Sequence, residues 1–211
     1  MNVLALDTAT PGPSVCLLAR GEIFEEALSS DRRASEELLP SVERLLAAAG
    51  VRLEECDCIA VCAGPGSFTG ARVGLATAWG LGRALGIPVE AVSTLEALAE
   101  SARGGADRRV VAALDAGRGD LICETFALDG DRARSLGPAR LVRHGDAAAL
   151  SEEGALRVLP AGLAGWPASP NGPSVASALA RAVARAPRPA GSPLAAIYSR
   201  PSAAEEKRGA P

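Results

Sequence analysis

The 211-residue sequence has one lysine, Lys207, and one histidine, His144. Each scarcity removes a class of chemistry. A Walker-type phosphate loop needs a lysine directly after its glycines, and none stands there. A histidine-based triad or a His-rich metal centre is nearly excluded as well. Aromatic residues make up 3% of the chain, and no basic stripe is interleaved with them, so strong autonomous RNA binding is not indicated. No apolar run approaches the roughly 20 residues of a membrane span. The opening Val3-Leu4-Ala5-Leu6-Asp7 lacks the basic start and longer apolar stretch of a secretory signal, which makes the cytoplasm the expected compartment. The five cysteines, Cys16, Cys56, Cys58, Cys62 and Cys123, are an odd number, which argues against a disulfide framework. Cys56, Cys58 and Cys62 have some of the spacing of a soft-metal site. No second ligand pair follows, however, and Cys58–Cys62 reads as a buried strand in which cysteine serves as a small apolar residue. No metal is expected.

What is present is the composition of a globular protein, 48% hydrophobic and 22% charged, with a net charge of −3. The length allows one large domain or two small ones. Strands are expected at Val3–Leu6, Ser14–Leu18 and Glu22–Ala27, a meander joined by tight turns. Leu38, Leu39, Val42, Leu45, Leu46 and Ala49 recur at helical spacing and predict a helix over Ser35–Ala49, beginning or kinking at Pro40. A buried strand Ile59–Cys62 leads into Gly64-Pro65-Gly66-Ser67-Phe68-Thr69-Gly70 and a helix over Ala71–Leu85. Strand Val89–Val92 and a short helix opened by Ser93 and Glu96 close the first half. Residues 102–107 read as a linker. Beyond it, strand Val110–Leu114, a turn at 115–119 and strand Leu121–Ala127 echo the beginning of the chain, a hint of internal duplication. The region 128–173 is loop-rich with a strand near Arg157–Leu159. Val175–Arg185 is a helix, 186–193 is Pro-rich, and the polar tail is expected to end in disorder.

The glycine loop is the most specific feature. It follows a buried strand and opens a helix, where free amide hydrogens and a partial positive charge suit an anion. Ser67 and Thr69 add hydroxyls. A tight strand-to-helix crossover with a Ser or Thr cap accounts for the same residues equally well. Asp7 and Asp115 end equivalent strands. Each is a candidate metal–phosphate ligand or base, or simply a turn aspartate binding nearby amides. The loop is not a nucleophile elbow, and His144 reads as a solvated residue in a surface turn. The helix after the loop mixes Val73, Ala76 and Gly80 with Trp79, a composition that fits either core packing or an interface.

These motifs resemble one family. Val3–Thr10 with Ser14-Val15, Leu38-Leu39-Pro40, Gly64–Arg72 and Val92-Ser93-Thr94-Leu95 look like the TsaB (YeaZ) family, and Ala113–Ala116 with Ile197–Pro201 fit its second half. The resemblance implies an α/β, actin-like ATPase (ASKHA) fold of two RNase-H-like halves, with mixed sheets flanked by helices. It divides the chain into 1–103, 104–196, and a segment 197–211 that returns to the first half. It implies a subunit with no catalytic residues, needed to form N6-threonylcarbamoyladenosine at position 37 of ANN-decoding tRNAs. In that pathway TsaC-type enzymes make the activated threonylcarbamoyl group and a TsaD-type transferase, the implied partner, delivers it. A TsaE-type ATPase is a further partner, and tRNA is met through the complex. The same helices would support a homodimer. On this reading Leu38, Leu39, Val42, Leu46, Arg72, Val73, Ala76 and Trp79 form the interface. Asp7, Thr8, Gly64, Gly66, Ser67, Thr69 and Gly70 are the candidate nucleotide contacts, for ATP or ADP at the partner interface rather than a cofactor this subunit requires. Relatives often carry His before the Ser or Thr that precedes Leu-Leu-Pro, where this chain has Ala34. Arg commonly follows the second Asp-Ala, where this chain has Gly117 and then Arg118. Two other readings remain: a small sugar-kinase-like enzyme with Gly117-Arg118-Gly119 as a second phosphate turn, and a metallopeptidase.

Overall fold

A computed structural model describes residues 1–29, 34–104, 109–152, 155–159, 174–188 and 195–198. The tail from 199 on, most of the Pro-rich stretch and part of the expected linker lie outside these residues.

Strands β1 (Val3–Asp7), β2 (Ser14–Ala19), β3 (Glu22–Ala27), β4 (Cys58–Cys62) and β5 (Val89–Val92) form a first sheet in the order β3-β2-β1-β4-β5. The meander β1–β3 is antiparallel, while β4 runs parallel to β1 and β5 to β4. Between these strands lie α1 (Ala34–Ala49) and α2 (Phe68–Leu85), and α3 (Thr94–Glu100) follows β5. The second sheet contains β6 (Arg109–Gly117), β7 (Asp120–Ala127), β8 (Arg134–Ser135), β9 (Arg140–Arg143) and β10 (Ala155–Leu159). β6 pairs antiparallel with β7 and parallel with β10, and both β8 and β9 pair with β7. The first strand of each half thus lies between an antiparallel second strand and a parallel later one, β4 in the first sheet and β10 in the second. This repeated plan is the duplication hinted at by the echo of Asp7 in Asp115. α4 (Val175–Arg185) is the last regular element among the described residues.

Strand alternation distributes the core. Leu4, Leu6, Val15, Leu17, Ile59 and Val61 face α1 and α2. Val3, Ala5, Cys16, Cys58, Ala60 and Cys62 face the opposite way and meet α3, α4 and the inner face of the second sheet, which is built from Val110, Ala112, Leu114, Ile122 and Phe126. The outer face of the second sheet, Val111, Ala113, Leu121 and Cys123, is covered by Ala147 and Leu150 of the 3-10 helix His144–Glu152. The two central helices are exchanged. α4, which follows the second sheet in the chain, packs on β1 and β2, and α3, which precedes that sheet, packs on β6 and β7.

Three expectations need correcting. α2 begins at Phe68 rather than Ala71, because the Ser67 hydroxyl accepts from the Gly70 amide and caps the helix three residues earlier. α1 begins at Ala34 rather than at Pro40, which lies inside it. The region after 128 holds two short strands and a 3-10 helix that its loop-like composition conceals.

Within α2, Gly82 and Gly80 differ in surroundings. A Cβ on Gly82 would lie 2.3 Å from Val89 Cγ2 and 2.8 Å from the Ile87 carbonyl oxygen, whereas one on Gly80 meets nothing within 4 Å. Gly82→Ala should lower stability by about 1–3 kcal/mol through overpacking. Gly80→Ala should raise it by up to about 1 kcal/mol through helix propensity. Denaturant titration of the two variants checks the contrast.

Candidate functional site

The glycine loop is pressed against the turn that follows β1. Gly66 has a φ of 149°, and a Cβ there would lie 2.2 Å from the Ala9 carbonyl oxygen. A Cβ on Gly70 would lie 1.9 Å from the Thr8 carbonyl oxygen. Only glycine permits both approaches. Three amides of the loop, those of Gly64, Ser67 and Gly70, are engaged within the protein. The Ser67 amide donates to the Ala9 carbonyl at 2.8 Å, the Gly64 amide to Thr94 Oγ1 at 3.1 Å, and the Gly70 amide to Ser67 Oγ at 3.1 Å. Thr8 Oγ1 donates to the Gly70 carbonyl at 2.6 Å. A strand-to-helix crossover capped by Ser67 accounts for these bonds.

Asp7 is fully buried. Its Oδ1 accepts from the amides of Ala9 and Thr10 at 3.0 and 3.1 Å, and its Oδ2 accepts from the Thr10 hydroxyl. Burial pushes its carboxyl from the ordinary 3.8 up to about 6, against the opposing pull of those hydrogen bonds. Asp7 is therefore a turn-building carboxylate rather than a ligand-facing one. A cavity of about 300 Å³ does open nearby, lined by Ala9, Thr10, Pro11, Gly66, Ser67, Leu114 and Asp115. Asp115 is exposed there and accepts from the Gly117 amide at 2.7 Å. His144 lies closer to this region than a solvated turn residue would, with Nε2 3.8 Å from Asp115 Oδ1. Gly117, Arg118 and Gly119 form the β6–β7 turn, all at positive φ, and are not among the lining residues. Thr69 is exposed at the start of α2. Among the described residues no group of acidic, His or Cys side chains has the arrangement of a metal site.

The expected interface residues divide into two sets. Leu38 and Val42 are 1% and 2% exposed and belong to the core between α1 and the first sheet, so they lie beyond a partner's reach. Their helical spacing follows the inward stripe of α1, and Leu39, 46% exposed, marks the outward one. Leu46 and Val73 are half-buried. On α2, Phe68, Arg72, Ala76, Trp79 and Arg83 are all exposed and recur at helical spacing, a single outward stripe. Trp79 is 58% exposed.

The resemblance implied a segment from 197 that returns to the first half, but the ring contacts it makes there were not read from the sequence. Ile197 donates its amide to the Ala63 carbonyl at 2.7 Å, which brings residues 195–198 back onto the first half. Tyr198 then stacks on Phe68 with ring centres 5.1 Å apart. Arg72 lies over the Phe68 ring at 3.7 Å and donates from Nε to the Tyr198 hydroxyl at 3.0 Å. The chain has only three phenylalanines, two tryptophans and one tyrosine, yet Phe68, Trp79 and Tyr198 are all exposed. That contrast with aromatic scarcity was the available signal.

Two sheets of the same plan, with α3 and α4 packed between them and α1 and α2 on the outer face of the first, define an actin-like α/β protein. Residues 24–165 match the family described as "TsaD: tRNA N6-adenosine threonylcarbamoyltransferase". The chain is 36% identical over 130 residues to the tRNA threonylcarbamoyladenosine biosynthesis protein TsaB of Escherichia coli, covering 61% of this chain and 56% of that protein. An uncharacterized protein of Mycobacterium tuberculosis is 37% identical over 209 residues, covering 94% of this chain and 92% of its own length. The structure of YeaZ from Pseudomonas aeruginosa superimposes with a TM-score of 0.63 at 38% identity, covering 67% of each chain. The chain belongs to the TsaB (YeaZ) family. The match to the E. coli protein spans little more than half of that protein's length.

Asp7 has a measurable signature. Its raised pKa means that the folded state holds the proton more tightly than the unfolded one. The resulting stability is present below 3.8 and is lost as pH rises through about 6, a change on the order of 3 kcal/mol. Asp7→Asn keeps an oxygen for the Ala9 and Thr10 amides and removes the titration. Denaturant melts across this range should show wild type losing stability relative to Asp7→Asn. Parallel curves would mean that Asp7 does not titrate there.

Proposed function

We propose that this chain is the non-catalytic scaffold subunit that pairs with a TsaD-type transferase in forming N6-threonylcarbamoyladenosine at position 37 of ANN-decoding tRNAs. The observation that carries this reading is the outward stripe of α2, with Leu39 of α1 on the same side of the first sheet. An exposed Trp beside small residues and arginines is the composition of a docking surface. The engaged amides of the glycine loop and the buried carboxylate of Asp7 support a role without chemistry of its own. Threonylcarbamoyl-adenylate would come from a TsaC-type enzyme, a TsaE-type ATPase would be a further partner, and tRNA would be met through the complex. Any nucleotide would sit at the partner interface. A homodimer through the same stripe would compete with the heterodimer. The work belongs in the cytoplasm, where tRNA is modified.

Trp79→Glu should abolish pairing with the TsaD-type protein and stop tRNA modification in a reconstituted system, with the circular dichroism of the subunit unchanged. Pairing and self-association that both survive the substitution would overturn the proposed surface.

The cavity beside Asp115 favours a second reading, an ATP-binding enzyme of sugar-kinase type. Calorimetry with Mg-ATP on the isolated protein separates the two. The scaffold reading expects no heat of binding, and micromolar binding would favour the kinase.

A further inference from the structure

At the end of the central layer away from the glycine loop, three glutamates are buried among four arginines. Glu90 of β5 and Glu96 and Glu100 of α3 are 4%, 7% and 3% exposed. Arg132, from the connection between β7 and β8, donates to Glu90 at 2.7 Å, to Glu96 at 2.8 and 3.2 Å, and to the Ala186 carbonyl at 3.0 Å. Arg188, just past α4, donates its backbone amide to Glu90 at 3.0 Å and its guanidinium to both oxygens of Glu96 at 2.7 and 2.8 Å. Glu100 accepts from Arg103 at 2.7 and 3.1 Å, from Arg185, and from the Ala133 amide. One cluster therefore ties together the edge of the first sheet, both exchanged helices and a loop of the second sheet.

Net stability is a weak reason for such a cluster. Desolvating charges costs about as much as pairing them returns, and apolar replacements of similar volume often do as well or better. What a paired network supplies is discreteness, because its members are either fully matched or hydrated. The rest of the central layer is apolar, with Leu95, Leu98, Ala176, Leu179, Ala180 and Val183 between the sheets. α3 links the two ends. Its first residue, Thr94, donates its amide to the Gly64 carbonyl at 2.8 Å, and its last, Glu100, sits in the cluster.

The geometry points to an ionic clasp centred on Arg132, whose release parts the second sheet from the first along the central helix layer without unfolding either sheet. The two outermost faces keep their own cover, α1 and α2 on one side and the 3-10 helix on the other. The clasp is independent of the partner assigned above, since none of its residues lies on the outward stripe of α2.

The cysteines report on this opening. Cys16, Cys58 and Cys62 face the central layer, whereas Cys56 lies on the α1–α2 side and Cys123 on the far side of the second sheet. All five are free and buried. Thiol labelling of the full chain under native conditions, read residue by residue by mass spectrometry, measures which faces open. In Arg132→Met, labelling of Cys16, Cys58 and Cys62 should rise together by about a hundredfold or more, because a buried pair loses one partner, while Cys56 and Cys123 keep the wild-type rate. Arg188→Gln, at a more exposed arginine, should give the same pattern at smaller amplitude and serves if Arg132→Met does not fold. A uniform rise at all five cysteines in Arg188→Gln would show that the cluster holds the fold as a whole, and unchanged rates would show that it holds nothing apart. Either result overturns the clasp.

Discussion

The backbone contact between the turn after β1 and the glycine loop governs the arrangement of the first half. β1 is the central strand of its sheet, and the carbonyls of Thr8 and Ala9 occupy the space where side chains on Gly70 and Gly66 would stand. That approach fixes where α2 starts and how it lies over the sheet. The same loop holds the first residue of α3 through Gly64, and the neighbouring Ala63 receives the returning segment through Ile197. The direction of α2, the foot of α3 and the position of Tyr198 over Phe68 all follow from one junction. The outward stripe of α2 is where it is because the close approach at Gly66 and Gly70 and the Ser67 cap start the helix at Phe68.

This junction gives structural work to a loop that has the composition of a phosphate cradle. Free amides at a helix start attract anions, but here the Ser67 hydroxyl, the Ala9 carbonyl and Thr94 Oγ1 have taken up the amides of Gly70, Ser67 and Gly64. Asp7 binds its own turn in the same manner. These groups hold strands and helices in place, while the side of the α1–α2 layer away from the sheet carries the exposed stripe of α2.

Much of the first half was legible because its signals are local. The short apolar runs of β1 and β2, helical spacing in α1 and the glycine string each point to one structure over a few residues. The errors were of direction rather than of kind. Leu38 and Leu39 are adjacent in sequence and face opposite ways, and spacing alone does not say which stripe of α1 meets the sheet. The second half was less legible. Arg140–Arg143 has two apolar residues between arginines and carries little strand signal until β7 supplies a partner for it. Least visible was the ionic cluster. Glu90, Glu96 and Glu100 look like ordinary surface residues of a strand and a helix, and nothing near them in sequence indicates that Arg132, Arg185 and Arg188 will cover them.

The exchange of the central helices has a consequence for how the chain is made. Synthesis completes the first sheet at Val92, with α1 and α2 already available to cover one of its faces. The other face, Val3, Ala5, Cys16, Cys58, Ala60 and Cys62, waits for α4, whose residues are translated some eighty positions later. Domains ordinarily fold as they leave the ribosome, but this one keeps an apolar sheet face uncovered until nearly its last helix has emerged. A ribosome stalled anywhere before Val175 would hold a nascent chain with half of a core, a natural client for a chaperone that binds apolar strands.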